Sequence, residues 1–155
     1  MAVENRECTV CGVTKPLKDF PLHGKGSYRK RTCAACHAVK KNAYRSSSPE
    51  AYLFSRLHNK TRKAEISITK EDLRMMWDQQ QGKCAVTGMH MTYYPRRMRD
   101  STGLNASVDR IDQSKGYEKG NVRLVCYRVN LMRHSGEDAD LLWWCKQIIE
   151  GLEGE

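Results

Sequence analysis

Asp109 and Asn130 are an acid and an amide set 21 residues apart, with a polar turn between two short apolar runs separating them. The first run ends at Asp109. The second, Val122 to Cys126, leads into a segment at helical spacing that carries Asn130 and His134. A strand, a loop, a strand and a helix with an acid and an amide turned inward can hold one divalent cation, because oxygen donors suit hard ions. A second chemistry lies at the other end of the chain. Cys8-Thr-Val-Cys11 and Cys33-Ala-Ala-Cys36 are two Cys-x-x-Cys pairs. Each turn brings two thiolates to one side, and together they make a tetrahedral set suited to Zn²⁺.

The elements that must position these groups follow from the pattern around them. Between the two cysteine pairs stand Gly12, Pro16, Pro21, Gly24 and Gly26, a turn-rich stretch too poor in apolar residues to fold by burial alone. Metal binding would supply the missing stability. His23 and His37 are alternative ligands, but four cysteines already complete the set. A helix is expected from Cys33 onward, with Lys40, Lys41 and Arg45 along it and Arg29, Lys30 and Arg31 just before it. Ser46-Ser47-Ser48-Pro49 is a break. Tyr52, Leu53 and Leu57 then recur at helical spacing, with Arg56, Lys60, Arg62 and Lys63 on the other face. Thr69 reads as the cap of a third helix with apolar stripe Leu73, Met76 and Trp77, stopped at Gly82. Residues 89–104, with Pro95, Arg96, Arg97 and Arg99, read as a loop. Asp138 is the expected cap of a final helix carrying Leu141, Leu142, Trp144, Cys145, Ile148 and Ile149, expected to close the core.

Composition narrows the partners. The formal net charge is +9 over 155 residues, and it is uneven. Residues 1–63 hold fourteen Lys/Arg against four acids, and the remainder holds thirteen against fourteen. The basic part is a candidate surface for phosphate. No stretch approaches the roughly 20 apolar residues of a membrane span, so a membrane partner is not expected. The seven cysteines are odd in number, and no secretory leader is read at the N-terminus. Reduced thiols in a cytoplasmic protein fit better than a disulfide framework.

The stretch from about Gln81 to Arg133 resembles the HNH, or ββα-metal, endonucleases. The whole layout is similar to phage and prophage HNH proteins related to endonuclease VII, in which a Cys-x-x-Cys module reads like Cys11-Gly-Val-Thr-Lys15-Pro16-Leu17 here. The resemblance implies that Asp109 and Asn130 bind the catalytic metal, that Asn121 ties down the loop between the strands, and that His134, one helical turn after Asn130, adds to the site. It implies Mg²⁺ or Mn²⁺ as the catalytic ion and DNA, duplex or branched, as the substrate.

Two positions depart from the family. A His acting as general base usually follows the metal-binding acid, and Arg110 stands there instead. A guanidinium cannot accept a proton near neutral pH, so Arg110 is expected to hold phosphate. Asp112, His134, His90 and the metal's own water are what remains as base. Ser107-Val-Asp-Arg-Ile-Asp112 resembles a variant that recurs among phage HNH-like proteins. Many relatives also carry a second pair of Cys-x-x-Cys knuckles. Here those positions read Cys84-x-x-Thr87 and Cys126-x-x-Val129, so Cys84 and Cys126 are expected to be buried small residues.

The reading that results is an α+β chain. Residues 1–46 form a small basic zinc module with four cysteine ligands, 47–81 a helical linker with supporting helices, and 82–155 a ββα-metal core closed by a C-terminal helix. The expected activity is that of a metal-dependent DNA endonuclease or nickase. The alternative is a DNA-binding or host-interaction protein on the same scaffold that does not cleave. A dimer would suit an enzyme that resolves DNA junctions, although no segment reads clearly as a dimer interface.

Overall fold

A computed structural model describes residues 4–24, 26–59, 65–94 and 102–154. Lys60, Arg62 and Lys63 of the expected basic face, and Pro95, Arg96, Arg97 and Arg99 of the expected loop, lie outside the described residues. The described residues form an α+β chain of five helices and two separate two-stranded antiparallel sheets. They divide into two compact units, Met1–Tyr44 and Arg45–Glu155. The helices expected as a linker over 47–81 belong to the second unit, because their apolar faces are part of its core.

The first unit is built on turns. Strands β1 (Asn5–Glu7) and β2 (Thr14–Pro16) pair antiparallel with Glu7 opposite Thr14. A single 3-10 turn over Leu17–Asp19 follows, and helix α1 (Ala34–Ser46) begins right after Cys33. Its fully buried cluster consists of Cys8, Phe20 and Cys33. Burying one Phe is worth roughly 2–3 kcal/mol, while ordering each residue costs about 1–2 kcal/mol. Burial alone therefore does not hold this unit, as its composition implies.

The second unit has a continuous core. Helix α2 (Pro49–Asn59) follows the Ser46–Ser48 break and buries Tyr52, Leu53 and Leu57 on one face, as their spacing requires. Helix α3 (Lys70–Gln79) starts at the expected cap: Thr69 Oγ1 accepts from the Asp72 N–H (3.1 Å) and Asp72 Oδ2 accepts from the Thr69 N–H (3.0 Å). Such reciprocal capping is worth about 1 kcal/mol. Leu73 is buried beneath it, with Met76 and Trp77 partly buried beside the same core. Strands β3 (Ala106–Arg110) and β4 (Val122–Cys126) form an antiparallel hairpin, and β4 runs directly into helix α4 (Tyr127–Arg133). Ala106, Val108, Leu124 and Cys126 are all buried. The Gln80 side chain bonds the backbone of β4, donating to the Leu124 carbonyl (2.9 Å) and accepting from its N–H (3.0 Å). Cys84 and Cys126 are both buried, and the Cys126 N–H donates to Cys84 Sγ (3.3 Å).

Helix α5 (Asp138–Glu153) differs in two respects from the sequence expectation. Its N-cap is Glu137, boxed with Asp140, because Asp138 is drawn instead to two arginines. Among the described residues Leu141 packs against the core and Cys145 is half-buried, whereas Leu142, Trp144, Ile148 and Ile149 stand exposed. No described helix is long and apolar enough to cross a membrane.

Candidate functional site

The loop joining β3 to β4 is rigidly tied. Asn121 is buried, and its Oδ1 accepts from the Asp112 N–H (2.9 Å) while its amide nitrogen donates to the carbonyls of Asp112 (3.0 Å) and Gly116 (2.9 Å). This is the loop-tying arrangement expected of Asn121. Two glycines make the path of the loop possible. Gly120 holds φ +86°, which side chains resist, and a Cβ on Gly116 would stand 2.8 Å from the Glu65 carbonyl oxygen. Asp112 serves the same turn: its Oδ1 accepts from the N–H (2.9 Å) and hydroxyl (2.6 Å) of Ser114. The Ser114 hydroxyl, helped by its backbone N–H, pulls the Asp112 carboxyl below the usual carboxylate range.

Next to this loop, β3 and α4 frame a cleft of about 330 Å³. Asp109, Arg110, Asn130 and His134 line it, together with Ser107, Tyr117 and Tyr127, while Asp112 is not part of its wall. Asn130 donates its amide hydrogens to Ser107 Oγ (2.7 Å) and the Val108 carbonyl (3.2 Å). Both bonds use the nitrogen, so the side-chain oxygen is the atom left to accept or ligate. His134 follows the last turn of α4 at φ +52°, an unusual conformation for a side-chain-bearing residue. Its Nδ1 lies 3.1 Å from Ser135 Oγ, which leaves Nε2 as the ring atom without a partner among the described residues.

Asp109 is 2% exposed and is held by two arginines that the sequence reading did not single out. Arg123, opposite it in register, reaches Oδ2 with Nε at 3.0 Å. Arg133, at the end of α4, reaches Oδ1 with Nη1 at 3.1 Å. Both arginines also bind Asp138 at the start of α5, Arg133 through Nε at 2.9 Å and Arg123 through Nη1 at 2.6 Å. Two acids and two arginines thus close a ring of balanced charge. The Arg123 hydrogen bonds hold the Asp138 carboxyl below its ordinary range. Arg133 further donates to the carbonyls of Arg110 and Ile111, each at 2.9 Å, which pins the end of β3. The signal was available for Arg123, since the side chain directly across a hairpin from a buried acid must answer its charge. Arg133 shows no such signal, because its reach depends on where α4 lies.

Arg110 does not stand free in the cleft. It donates to the carbonyls of Gln113 (3.0 Å) and Lys115 (2.8 Å) and to Gln113 Oε1 (2.8 Å), and its guanidinium lies 5.2 Å from the Tyr117 ring centre. Three of its five hydrogens are spent on the loop. A different arginine packs on a residue of the cleft wall, Tyr127. Arg56 of α2 lies between the rings of Tyr52 (5.7 Å) and Tyr127 (5.6 Å), and no carboxylate pairs with it among the described residues.

In the first unit, the sulfurs of Cys8, Cys11, Cys33 and Cys36 lie within 4.8 Å of one another. A tetrahedral metal with bonds of about 2.3 Å puts its sulfurs roughly 3.8 Å apart, so the set needs only small adjustment to close on one ion. The fold already favours thiolates there. The Cys33 N–H donates to Cys8 Sγ (3.3 Å) and leads the backbone bonds that pull the Cys8 thiol down to about 6. The Cys36 N–H lowers Cys33 in the same way. Cys36 carries the compensating proton, and its contact with Cys33 pushes it up to about 12. Lys15 Nζ, 3.7 Å from Cys33 Sγ, is itself raised by that sulfur's charge. His23 and His37 stand outside the cluster, and His37 Nε2 is 2.8 Å from Lys30 Nζ.

The six basic residues expected to contact DNA divide by environment. Arg29 donates to the Phe20 carbonyl (2.7 Å), Lys30 meets His37, and Arg45 Nε donates to Ser55 Oγ (2.7 Å). Arg31, Lys40 and Lys41 are exposed.

No family model matches the chain, and no curated protein does. Among solved structures the chain is similar to one described as the rare-cutting HNH restriction endonuclease PacI, from work on how that enzyme perturbs DNA. The two are 17% identical over 96% of each chain, with a TM-score of 0.39. A likeness this distant transfers no residue and no role.

Proposed function

We propose that the chain is a metal-dependent endonuclease of the HNH type that hydrolyses phosphodiester bonds in DNA. The observation that carries this reading is the β3–loop–β4–α4 unit, which turns Asp109, Asn130 and His134 toward one cleft. A divalent ion such as Mg²⁺ or Mn²⁺ at that cleft would polarise the scissile phosphate and stabilise the departing oxygen. The protein's own part is positioning. Asn130 offers its oxygen from a side chain fixed at Ser107 and Val108. Asp109 is held in place by Arg123 and Arg133. His134 Nε2 takes the proton of the attacking water, a role for which Asp112, committed to its turn, is poorly suited. Arg110 supports the loop with three hydrogens and offers the others to a phosphate oxygen. Arg56, packed on Tyr127 of the cleft wall, supplies a charge that no described carboxylate pairs.

The four cysteines hold a structural Zn²⁺, the ion that four thiolates at tetrahedral spacing suit. Arg31, Lys40 and Lys41 contact the DNA backbone, and Arg29, Lys30 and Arg45 shape the surface that presents them. Seven free cysteines fit a reducing compartment.

Cleavage of supercoiled, nicked and branched DNA with Mg²⁺ or Mn²⁺ tests this reading. Asp109→Ala is a poor control, because it strips a carboxylate from buried Arg133 and should cost about 3 kcal/mol of stability. Asp109→Asn preserves shape but removes the same charge, so its fold is checked by melting temperature before assay, whereas Asn130→Ala sits in a half-buried position and should keep the fold. Each is expected to lower metal-dependent cleavage by about a hundredfold or more. Cleavage by both variants at the parent rate would sink the assignment. A second reading rests on one observation: both oxygens of Asp109 are already engaged by arginines. If that ring excludes a cation, the chain binds DNA without cutting it. Tight, salt-sensitive binding with no cleavage by the parent, in any of these metals, would favour that reading.

A further inference from the structure

Asp138 is not in the wall of the cleft, yet it shares both arginines with Asp109, which is. Arg123 touches Asp109 with Nε alone, 3.0 Å from Oδ2, and turns its two terminal nitrogens to Asp138, Nη1 at 2.6 Å from Oδ2 and Nη2 at 2.5 Å from Oδ1. Arg133 divides itself in the same manner, with Nη1 at 3.1 Å from Asp109 Oδ1 and Nε at 2.9 Å from Asp138 Oδ1. Arg133 Nη1 also lies 3.4 Å from Asp109 Oδ2. A carboxylate has about four acceptor positions, so three are approached and one remains on Oδ1. That position belongs to the same cleft as the Asn130 oxygen and His134 Nε2, a donor set that fits a divalent ion.

Without Asp138, two guanidinium charges would face one carboxylate, and the surroundings of Asp109 would carry a net positive charge that repels a cation. The fork of Arg123 would also be at liberty to close on Asp109 in the bidentate manner that guanidinium and carboxylate favour, covering the remaining acceptor position. We infer that Asp138 is a positioning residue for the metal: by engaging the fork of Arg123 and the Nε of Arg133, it leaves Asp109 the charge and the lone pair to take a divalent cation. Such positioning presupposes the metal centre of the proposed function at Asp109. It also gives α5 a part in that centre, since Asp138 opens the helix. Asp138 is more than half exposed, so its field is partly screened, and its loss across one guanidinium is expected to weaken a doubly charged ion by roughly tenfold.

Mn²⁺ binding to the zinc-loaded full chain without DNA, followed by electron paramagnetic resonance, tests this apart from cleavage. Asp138→Asn keeps the shape, and the cap of α5 belongs to Glu137 and Asp140, so the helix should stay in place. This variant is expected to raise the Mn²⁺ dissociation constant about tenfold and the Mn²⁺ needed for half-maximal cleavage by the same factor, with the rate at saturating Mn²⁺ within about twofold of the parent. Asp138→Glu restores the charge and should bind Mn²⁺ like the parent. So should Asp140→Asn, which removes a charge from the same turn at an acid bonded to the Glu137 N–H. Parent-like Mn²⁺ binding by Asp138→Asn, or an equal loss in Asp140→Asn, would overturn the inference and leave the nuclease reading standing. A parent that binds Mn²⁺ without cleaving would sink the nuclease reading alone, because the binding comparison still decides the role of Asp138. Mn²⁺ binding that Asp109→Asn leaves unchanged would remove the metal centre from the cleft and overturn both.

Discussion

Arg56 is the residue whose contribution is most separable from folding. It is held by two rings rather than by an acid, so its charge is uncommitted among the described residues. Arg56→Ala is expected to weaken DNA binding by roughly tenfold, the loss of one well-placed phosphate contact, and to reduce the slope of affinity against salt by about one. Tyr127→Phe keeps the ring and should leave both quantities near the parent values. Titrations at several salt concentrations read this out, and an unchanged slope in Arg56→Ala would remove it from the interface. Residues of this kind show how much of the site could be read from the chain. The places of Asp109, Asn121 and Asn130 on strand, turn and helix are legible from the periods around them, while a role for each came only from the family resemblance. Arg56 was legible only as one of several charges on a helix, since its stacking partner Tyr127 is 71 positions away. Arg133 was silent for the same reason, because reach across the fold leaves no local pattern.

At the scale of elements, the attachment of α5 rests on the ring of two acids and two arginines. Arg123 holds Asp138 below its ordinary range, so this carboxylate contributes stability that is fully present above its unfolded value near pH 4 and is lost as pH falls through the lower folded value. Asp138 is more than half exposed, so screening limits the contribution to about 1 kcal/mol or less. Melting temperatures between about pH 5 and pH 2.5 should fall more steeply for the parent than for Asp138→Asn, which has no proton to take up. Parallel curves would mean that the ring contributes nothing to stability. The helices and strands themselves were largely legible: Thr69 caps α3 and the Ser46–Ser48 break parts α1 from α2, both from local chemistry. The start of α5 was misjudged by one residue because Asp138 suits a cap in type, yet two distant arginines compete for it and win.

For the whole molecule, the two units owe their order to different forces. The second has a broad apolar core, and the first has Phe20 and its cysteines. A strong chelator should therefore unfold residues 8–36 and leave the second unit intact. Far-ultraviolet signal should drop while tryptophan emission holds, since Trp77, Trp143 and Trp144 all lie in the second unit. Binding to DNA at low salt should weaken in parallel, with most of the basic excess on the unit that unfolds. A chelated protein with an unchanged spectrum would show that the cysteine cluster needs no ion to fold. This division was visible in composition, in the contrast between a turn-rich cysteine segment and periodic apolar runs. The boundary itself was less so, because α1 runs unbroken past Tyr44 and offers no local signal where one unit gives way to the next.

The Gln80 amide has a bearing on how the protein behaves when crowded. A two-stranded sheet offers its outer backbone groups to any extended segment that drifts past, and such growth is how strands recruit one another into fibres. At the middle of β4, Gln80 occupies both positions that an incoming strand would use at Leu124, and the Ala85 N–H shares the same carbonyl at 3.0 Å. One side chain imitates a neighbouring peptide and ends the sheet there. The hairpin that carries Asp109 can thus remain two strands wide without becoming a seed.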